Sequence, residues 1–186
     1  MGCVASGHRL VPLTLPDSRS QAAVDAFLEQ AEGLRDPRAV CAALDTLIAC
    51  VAHAKEAIEP VATRRQLWRC GGFVTRALRG HPVHPGVAQR GTQFFHDLSR
   101  IDRSVAMEAP GEAAEAVAGA LVRHGGVARE NGSTVLLHGL AFLTHLAFGP
   151  EGCTLVNGVC PMVLGVSCGH WGNASVVLAG LAFSGE

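Results

Sequence analysis

Three groups of residues carry types and spacings that chemistry could use. The chain opens Met1-Gly2-Cys3-Val4-Ala5-Ser6. Once Met1 is removed, Gly2 with Ser6 four residues on fits the N-myristoylation pattern, and Cys3 stands where S-palmitoylation supplies a second chain. One myristoyl group binds a bilayer marginally, at roughly 10⁴ M⁻¹, whereas two chains anchor it, so Gly2 and Cys3 make sense as a pair. His8, Arg9 and Arg19 form no polybasic patch, which leaves Cys3 as the second signal. The competing reading is a chance Met-Gly start with a serine in the right place.

The second group is Gly165-Val166-Ser167-Cys168-Gly169, which matches the GxSxG nucleophile elbow, with His170 beside it. A hydrolase of that type needs an acid and then a histidine after the serine. The last Asp is Asp102, and only Glu186 follows His170, so a glycine-rich turn between helices is preferred to a Ser167 hydrolase. The third group is metal-like. Cys153, Cys160, Cys168 and His170 are spaced by seven, eight and two, unlike the close pairs of structural zinc sites, and are read as packed thiols. His81 and His84 sit in a Pro-rich connector, and His138 and His145 lie two turns apart on one helix face, better suited to lining or packing than to ligation. No metal site and no cofactor are expected, and the chain is read as not an enzyme.

Composition narrows the field further. The 186 residues carry a net charge of −1 and are 48% hydrophobic and 17% charged, which rules out a disordered chain as the main reading. With 14 Arg and a single Lys, Lys55, no Walker loop can exist, and near-neutral charge gives no global case for nucleic acid. Arg64, Arg65, Arg69, Arg76 and Arg79 concentrate on two neighbouring helices around Trp68. A solvated face with Trp68 in the core is preferred there to a surface for an anionic partner. Seven cysteines without a CxxC, and a short apolar start broken by Pro12 and Pro16, suggest reduced thiols, no signal peptide and a cytoplasmic setting. The longest apolar run, Thr134 to Phe148, is 15 residues, short of the ~20 a membrane span needs.

Such a chain must be helical. Alternation is absent, and 3.6-residue periodicity is strong. The pattern predicts helices over Asp17–Glu32, Arg38–Ile58 (one helix or two), Thr63–Arg69, Phe73–Arg79, Val87–Ile101, Glu112–His124, Ser133–Phe148 and Ala174–Phe183. Ala22, Ala23, Ala26, Phe27 and Gln30 are placed on one side of the first. Gly33 is expected as a C-cap, Gly71-Gly72 as a break, and Ser133 and Asn173 as N-caps.

Repetition organises these helices. Val40, Val87, Val135 and Val176 superpose; four residues later stand Leu44, Gly91, Gly139 and Gly180; then Leu47, Phe94, Phe142 and Phe183; then Val51, Leu98 and Leu146. The offsets are 47, 48 and 41 residues, a period that suits stacked helical units. A glycine in this stripe costs about 1 kcal/mol of helix propensity against Ala and admits a neighbouring helix closely.

The stretches Gly139–Phe148, Gly149-Pro150-Glu151-Gly152 and Leu155–Leu164, with Gly72–Leu78 and His81-Pro82 earlier, resemble the armadillo-repeat family over about residues 36–186. The resemblance implies an all-α, right-handed α-solenoid of three to four repeats, the last incomplete, over residues 17–186 after a flexible leader of residues 1–16. It also implies a groove of third helices for an extended peptide or helical segment of a protein partner. The matching positions are Thr46 and Cys50, Gln93 and Asp97, Ala141 and His145, so Gln93, Asp97, Ala141 and His145 are the groove residues. The recurring Trp and Asn of the family's peptide binders stand at none of them, so nuclear-signal binding of that kind is not implied.

The expected protein is a non-catalytic binding scaffold, acyl-anchored on the cytoplasmic face of a membrane if Gly2 and Cys3 are used. The alternative is a soluble assembly subunit. From Asn131 onward only Glu151 and Glu186 are charged, an edge that suggests either a fragment or a surface for a partner or self-association.

Overall fold

Short polar side chains and prolines decide where the helices start. In the computed structural model, which describes residues 20–56, 61–102, 109–125, 132–148, 154 and 156–159, every regular element is an α-helix. Helix α1 (Gln21–Glu32) is capped by Ser20, whose Oγ accepts from the Ala23 amide at 3.4 Å. Helix α2 (Pro37–Glu56) begins with proline, and Asp36 accepts from the Ala39 amide at 3.2 Å. Such caps satisfy amides that the helix itself cannot. Helices α3 (Val61–Arg69) and α4 (Gly71–Gly80) follow. Helix α5 (Pro85–Ile101) is capped by His84, whose Nδ1 accepts from the Val87 amide at 3.2 Å. Helices α6 (Pro110–His124) and α7 (Gly132–Ala147) complete the set.

Several boundaries differ from the sequence pattern. Helix α2 is one unbroken helix of 20 residues. Gly71 and Gly72 lie inside the first turn of α4, and the break falls at Cys70 alone. Ser133 is inside α7 and is not its cap. Gly33, by contrast, is the C-cap of α1 as expected, with φ −77°, an ordinary right-handed conformation. The expected face of α1 is corrected as well: Val24, Phe27 and Ala31 are buried, while Ala22, Ala26 and Gln30 are exposed. Phe27 fixes that rotation by meeting Phe73 of α4 edge-on, centroids 6.4 Å apart, a geometry that aromatic quadrupoles favour.

Helices α2, α5 and α7 lie as successive neighbours, and so do α1, α4 and α6. Helix α4 packs on α5, α6 packs on α7, and α3 touches α2, α4 and α5. Val40, Val87, Val135, Leu47, Phe94, Phe142, Val51, Leu98 and Leu146 are each at most 3% exposed. Burying one such side chain stabilises by about 1.5–3 kcal/mol, so this stripe is the main cohesion between helices. Phe95 stacks on Phe142 at 4.9 Å and meets Phe94 at 5.6 Å, joining α5 to α7.

The two glycines of the stripe act alike. A methyl on Gly91 would stand 2.7 Å from Leu78 Cδ2, and one on Gly139 would stand 2.7 Å from Leu121 Cδ2. Each glycine thus admits a leucine from the helix before it. Helix α2 alone is long and apolar enough among the described residues to cross a membrane. Its stripe is buried, and it packs on α3 and α5.

Trp68 is 1% exposed. Arg69 pairs with Asp25 at 2.7 Å, Arg76 with Glu32 at 2.9 Å, and Arg79 with Glu112 and Glu115 at 2.8 and 2.9 Å. Arg64 donates to the Ile101 carbonyl at 2.6 Å. The cationic cluster therefore ties α3 and α4 to α1, α5 and α6. These pairs are substantially exposed, and each contributes little stability by itself.

Candidate interaction face

Burial of the stripe fixes which residues remain on the other side of α2, α5 and α7. A helix that buries i, i+4, i+7 and i+11 turns the positions between them toward a seam or toward solvent. Thr46 of α2, Gln93 and Asp97 of α5, and Ala141 and His145 of α7 are all half-buried, whereas Cys50 is fully buried. On the same helices Gln89 and Thr144 are half-buried, and Ala42, Ala49, His53, Arg100 and Leu137 are exposed. Large exposed apolar side chains appear at Leu137 of α7, 57% exposed, and at Phe148 just beyond its end, 67% exposed.

Between α5 and α7 the polar side chains meet. His96 of α5 stacks on His138 of α7 with ring centroids 5.0 Å apart and planes 21° from parallel. The same ring faces His145 at 6.5 Å and 23°. Ser99 Oγ lies 3.1 Å from His145 Nδ1 and also donates to the His96 carbonyl at 2.8 Å. Asp97 Oδ1 is 3.5 Å from His96 Nδ1. The Nδ1 atoms of His96 and His138 are buried without a hydrogen-bond partner. Burial, and then the neighbouring His138, push the His96 imidazole below its ordinary range; the Asp97 carboxylate opposes this, and Arg100 and His145 add to it. Burial likewise pushes His138 down against the pull of Asp97. Stripping water from a ring disfavours its cationic form, and one carboxylate compensates only in part.

Two of the four groove residues, Asp97 and His145, are thus brought to one histidine-lined seam, while Gln93 and Ala141 stand one helical turn before them on the same helices. His138, read as a lining or packing residue, packs in the seam. His96 and Ser99 escaped the sequence reading. His138 corresponds by repeat to Arg90, but His96 and Ser99 stand six and nine residues beyond that arginine, on another register of the helix, so the repeat did not point to them.

The corresponding seam between α2 and α5 is built from other material. Arg90 Nε donates to Asp45 Oδ1 at 2.7 Å, and Arg90 also donates to the Gly86 carbonyl at 3.3 Å. Cys41 lies beside it, its thiol pushed up by burial against the pull of Arg90. Cys70 is deeply buried and is pushed up to about 12 by burial and by Cys50, which leaves it inert as a nucleophile.

Among the described residues, no three His, Cys, Asp or Glu side chains are arranged to hold a metal ion. Near-parallel stacking points the lone pairs of His96 and His138 away from a shared centre. His81 and His84 serve the connector: His84 caps α5, and the His81 carbonyl accepts from the His84 amide at 3.1 Å. A cleft of about 380 Å³ lies between α1 and α4, and Glu32 and Arg76, which line it, pair with each other. Gly2, Cys3, Cys153, Cys160, Ser167, Cys168 and His170 lie outside the described residues.

No protein-family model, curated protein or solved structure matches this chain.

Proposed function

We propose that the chain is an armadillo-like, right-handed α-solenoid that works as a non-catalytic protein-binding scaffold, with the α5–α7 face as its receiving surface. The observation that carries this reading is the repeated glycine notch: Gly91 against Leu78 and Gly139 against Leu121 use the same contact at successive steps. The order of neighbours supports it too, since α2, α5 and α7 follow one another while α1, α4 and α6 do the same. Gln93, Asp97, Ala141 and His145 are the contact residues proposed for a peptide or helical segment. Affinity on such a face comes from a few desolvated anchors. A cytoplasmic location and a membrane anchor at Gly2 and Cys3 belong to the same proposal, on the acylation pattern alone.

The decisive experiment adds bulk and charge to the face. Gln93→Arg with Ala141→Arg removes the proteins that co-purify with the wild-type chain and leaves the melting temperature within a few degrees. Val122→Arg, on exposed α6 surface, removes nothing. Retention of the same proteins by the doubly substituted chain sinks the reading, as does labelling of Ser167 by a serine-hydrolase probe. For the anchor, Gly2→Ala shifts the protein from membrane to soluble fractions; an unchanged distribution removes that part.

A second reading is favoured by the exposure of Leu137 on α7 and of Phe148 just after it, namely a soluble assembly subunit that self-associates through its apolar C-terminal part. Under it, Leu137→Glu with Phe148→Glu turns an oligomer in size-exclusion chromatography into a monomer.

A further inference from the structure

Three imidazoles in a row between two helices are an unusual way to close a seam. Stacked neutral rings attract, but each carries a nitrogen that takes a proton near neutral pH. His96 is central to the stack, 5.0 Å from His138 and 6.5 Å from His145, centroid to centroid. A first proton has a place to go, because Asp97 Oδ1 stands 3.5 Å from His96 Nδ1 and makes an ion pair with the protonated ring. A second proton, on His138, draws on the same Asp97 carboxylate that the first already engages. It would sit on a neighbouring ring at stacking distance from the first, where like charges in a half-dry seam repel strongly.

We propose that the His96, His138 and His145 stack is a proton-operated clasp: neutral, it holds α5 to α7, and doubly protonated, it forces the two helices apart. Its regulatory meaning rests on the binding role given above to this face, since the moving helices carry Gln93, Asp97, Ala141 and His145.

On α5 itself, Asp97 pulls protons onto His96 and His138, Arg100 repels them from His96, and Ser99 holds His145 by a hydrogen bond. Several ionic groups of the other elements packed on α5 or α7 are engaged elsewhere. Asp45 of α2 faces Arg90, Arg64 of α3 reaches the Ile101 carbonyl, and Arg79 of α4 takes Glu112 and Glu115 of α6. His124 of α6 bonds the Pro82 carbonyl at 2.9 Å.

The direction of the effect follows from linkage. An unfolded histidine titrates near 6.5, and the seam holds His96 and His138 below that value. The separated or unfolded seam therefore binds more protons than the closed one. Closure is complete above about pH 6.5 and is lost as pH falls through the lowered values.

The test uses the full chain and needs no partner. Ring resonances are followed by NMR from pH 7.5 to 5.0, and amide exchange, corrected for its intrinsic pH dependence, is read in α2, α5 and α7. The expected result is at least a tenfold loss of protection in α7 relative to α2 between pH 7 and 5.5. His138→Gln reduces that loss to under threefold, and His53→Gln, on exposed α2 surface, leaves it unchanged. Should His96→Gln unfold at pH 7, His138→Gln and the wild-type ring titrations carry the test. An equal loss in wild type and His138→Gln overturns the clasp, as do three rings titrating independently near 6.5 over an unaltered α7. Either result leaves partner binding untouched, whereas failure of the Gln93/Ala141 experiment with a working clasp strikes the binding role alone.

Discussion

Two seams join equivalent helices, and they are closed in opposite ways. Between α2 and α5 the stripe is sealed at its rim by the ion pair of Arg90 with Asp45. Between α5 and α7 the place of Arg90 is taken by His138, which stacks on His96, and the rim is lined by imidazoles. Both seams share the same buried valine, aromatic or leucine, and aliphatic positions. The contrast separates two tasks that a helix face performs at once: its buried stripe supplies cohesion, and its rim sets what the seam responds to.

The largest test of shared cohesion is Phe142→Ala. Phe142 is fully buried and stacked on Phe95, so its truncation is expected to cost about 3–5 kcal/mol in denaturant unfolding. Leu47→Ala, at the corresponding position of α2, is expected to cost about 2–5 kcal/mol. A cost below 1 kcal/mol at either site would break the equivalence of the seams.

Gly91→Val and Gly139→Val come next. Each drives a branched side chain into a leucine that already lies 2.7 Å from the first added carbon, an overpacking worth about 1–3 kcal/mol. Loss of that penalty in Leu78→Ala and Leu121→Ala backgrounds, read by a double-mutant cycle, would sharpen the notch to one contact.

Acid should then distinguish the seams. Because His96 and His138 are held low, wild-type stability falls as pH drops below about 6.5, and the fall is shallower in His138→Gln. Identical pH profiles from thermal melts would make the two rims functionally alike. The smallest effect belongs to Asp45→Asn. Asp45 is 56% exposed, so the change costs under about 1 kcal/mol, and the difference shrinks in high salt. An effect larger than that of the glycine substitutions would reverse the ranking of rim and stripe.

The recurring stripe was legible because it obeys one period and is filled by large apolar side chains. Val40, Leu47, Val51 and their counterparts on α5 and α7 are buried where the pattern put them. The rotation of α1 was not legible. Ala22, Ala23 and Ala26 look apolar by type, yet alanine commits a helix face weakly, and Phe27 against Phe73 settled the matter instead. Helix boundaries slipped wherever glycine or serine could serve inside a first turn as well as before it, as at Gly71 and Ser133. At the candidate face, Asp97 and His145 were reachable by repeat position. His96 was not, because its partners come from a different register of the next helix, and lateral contacts depend on how two helices lean on each other.

The leucine notches bear on how this chain could move. Leu78 fills the missing methyl of Gly91, and Leu121 that of Gly139. Sliding either helix along its partner would ram a branched tip into bare backbone, so the α4–α5 and α6–α7 hairpins behave as stiff bricks. Bending is left to the mortar between them, and there one joint is riveted while the other answers to acid.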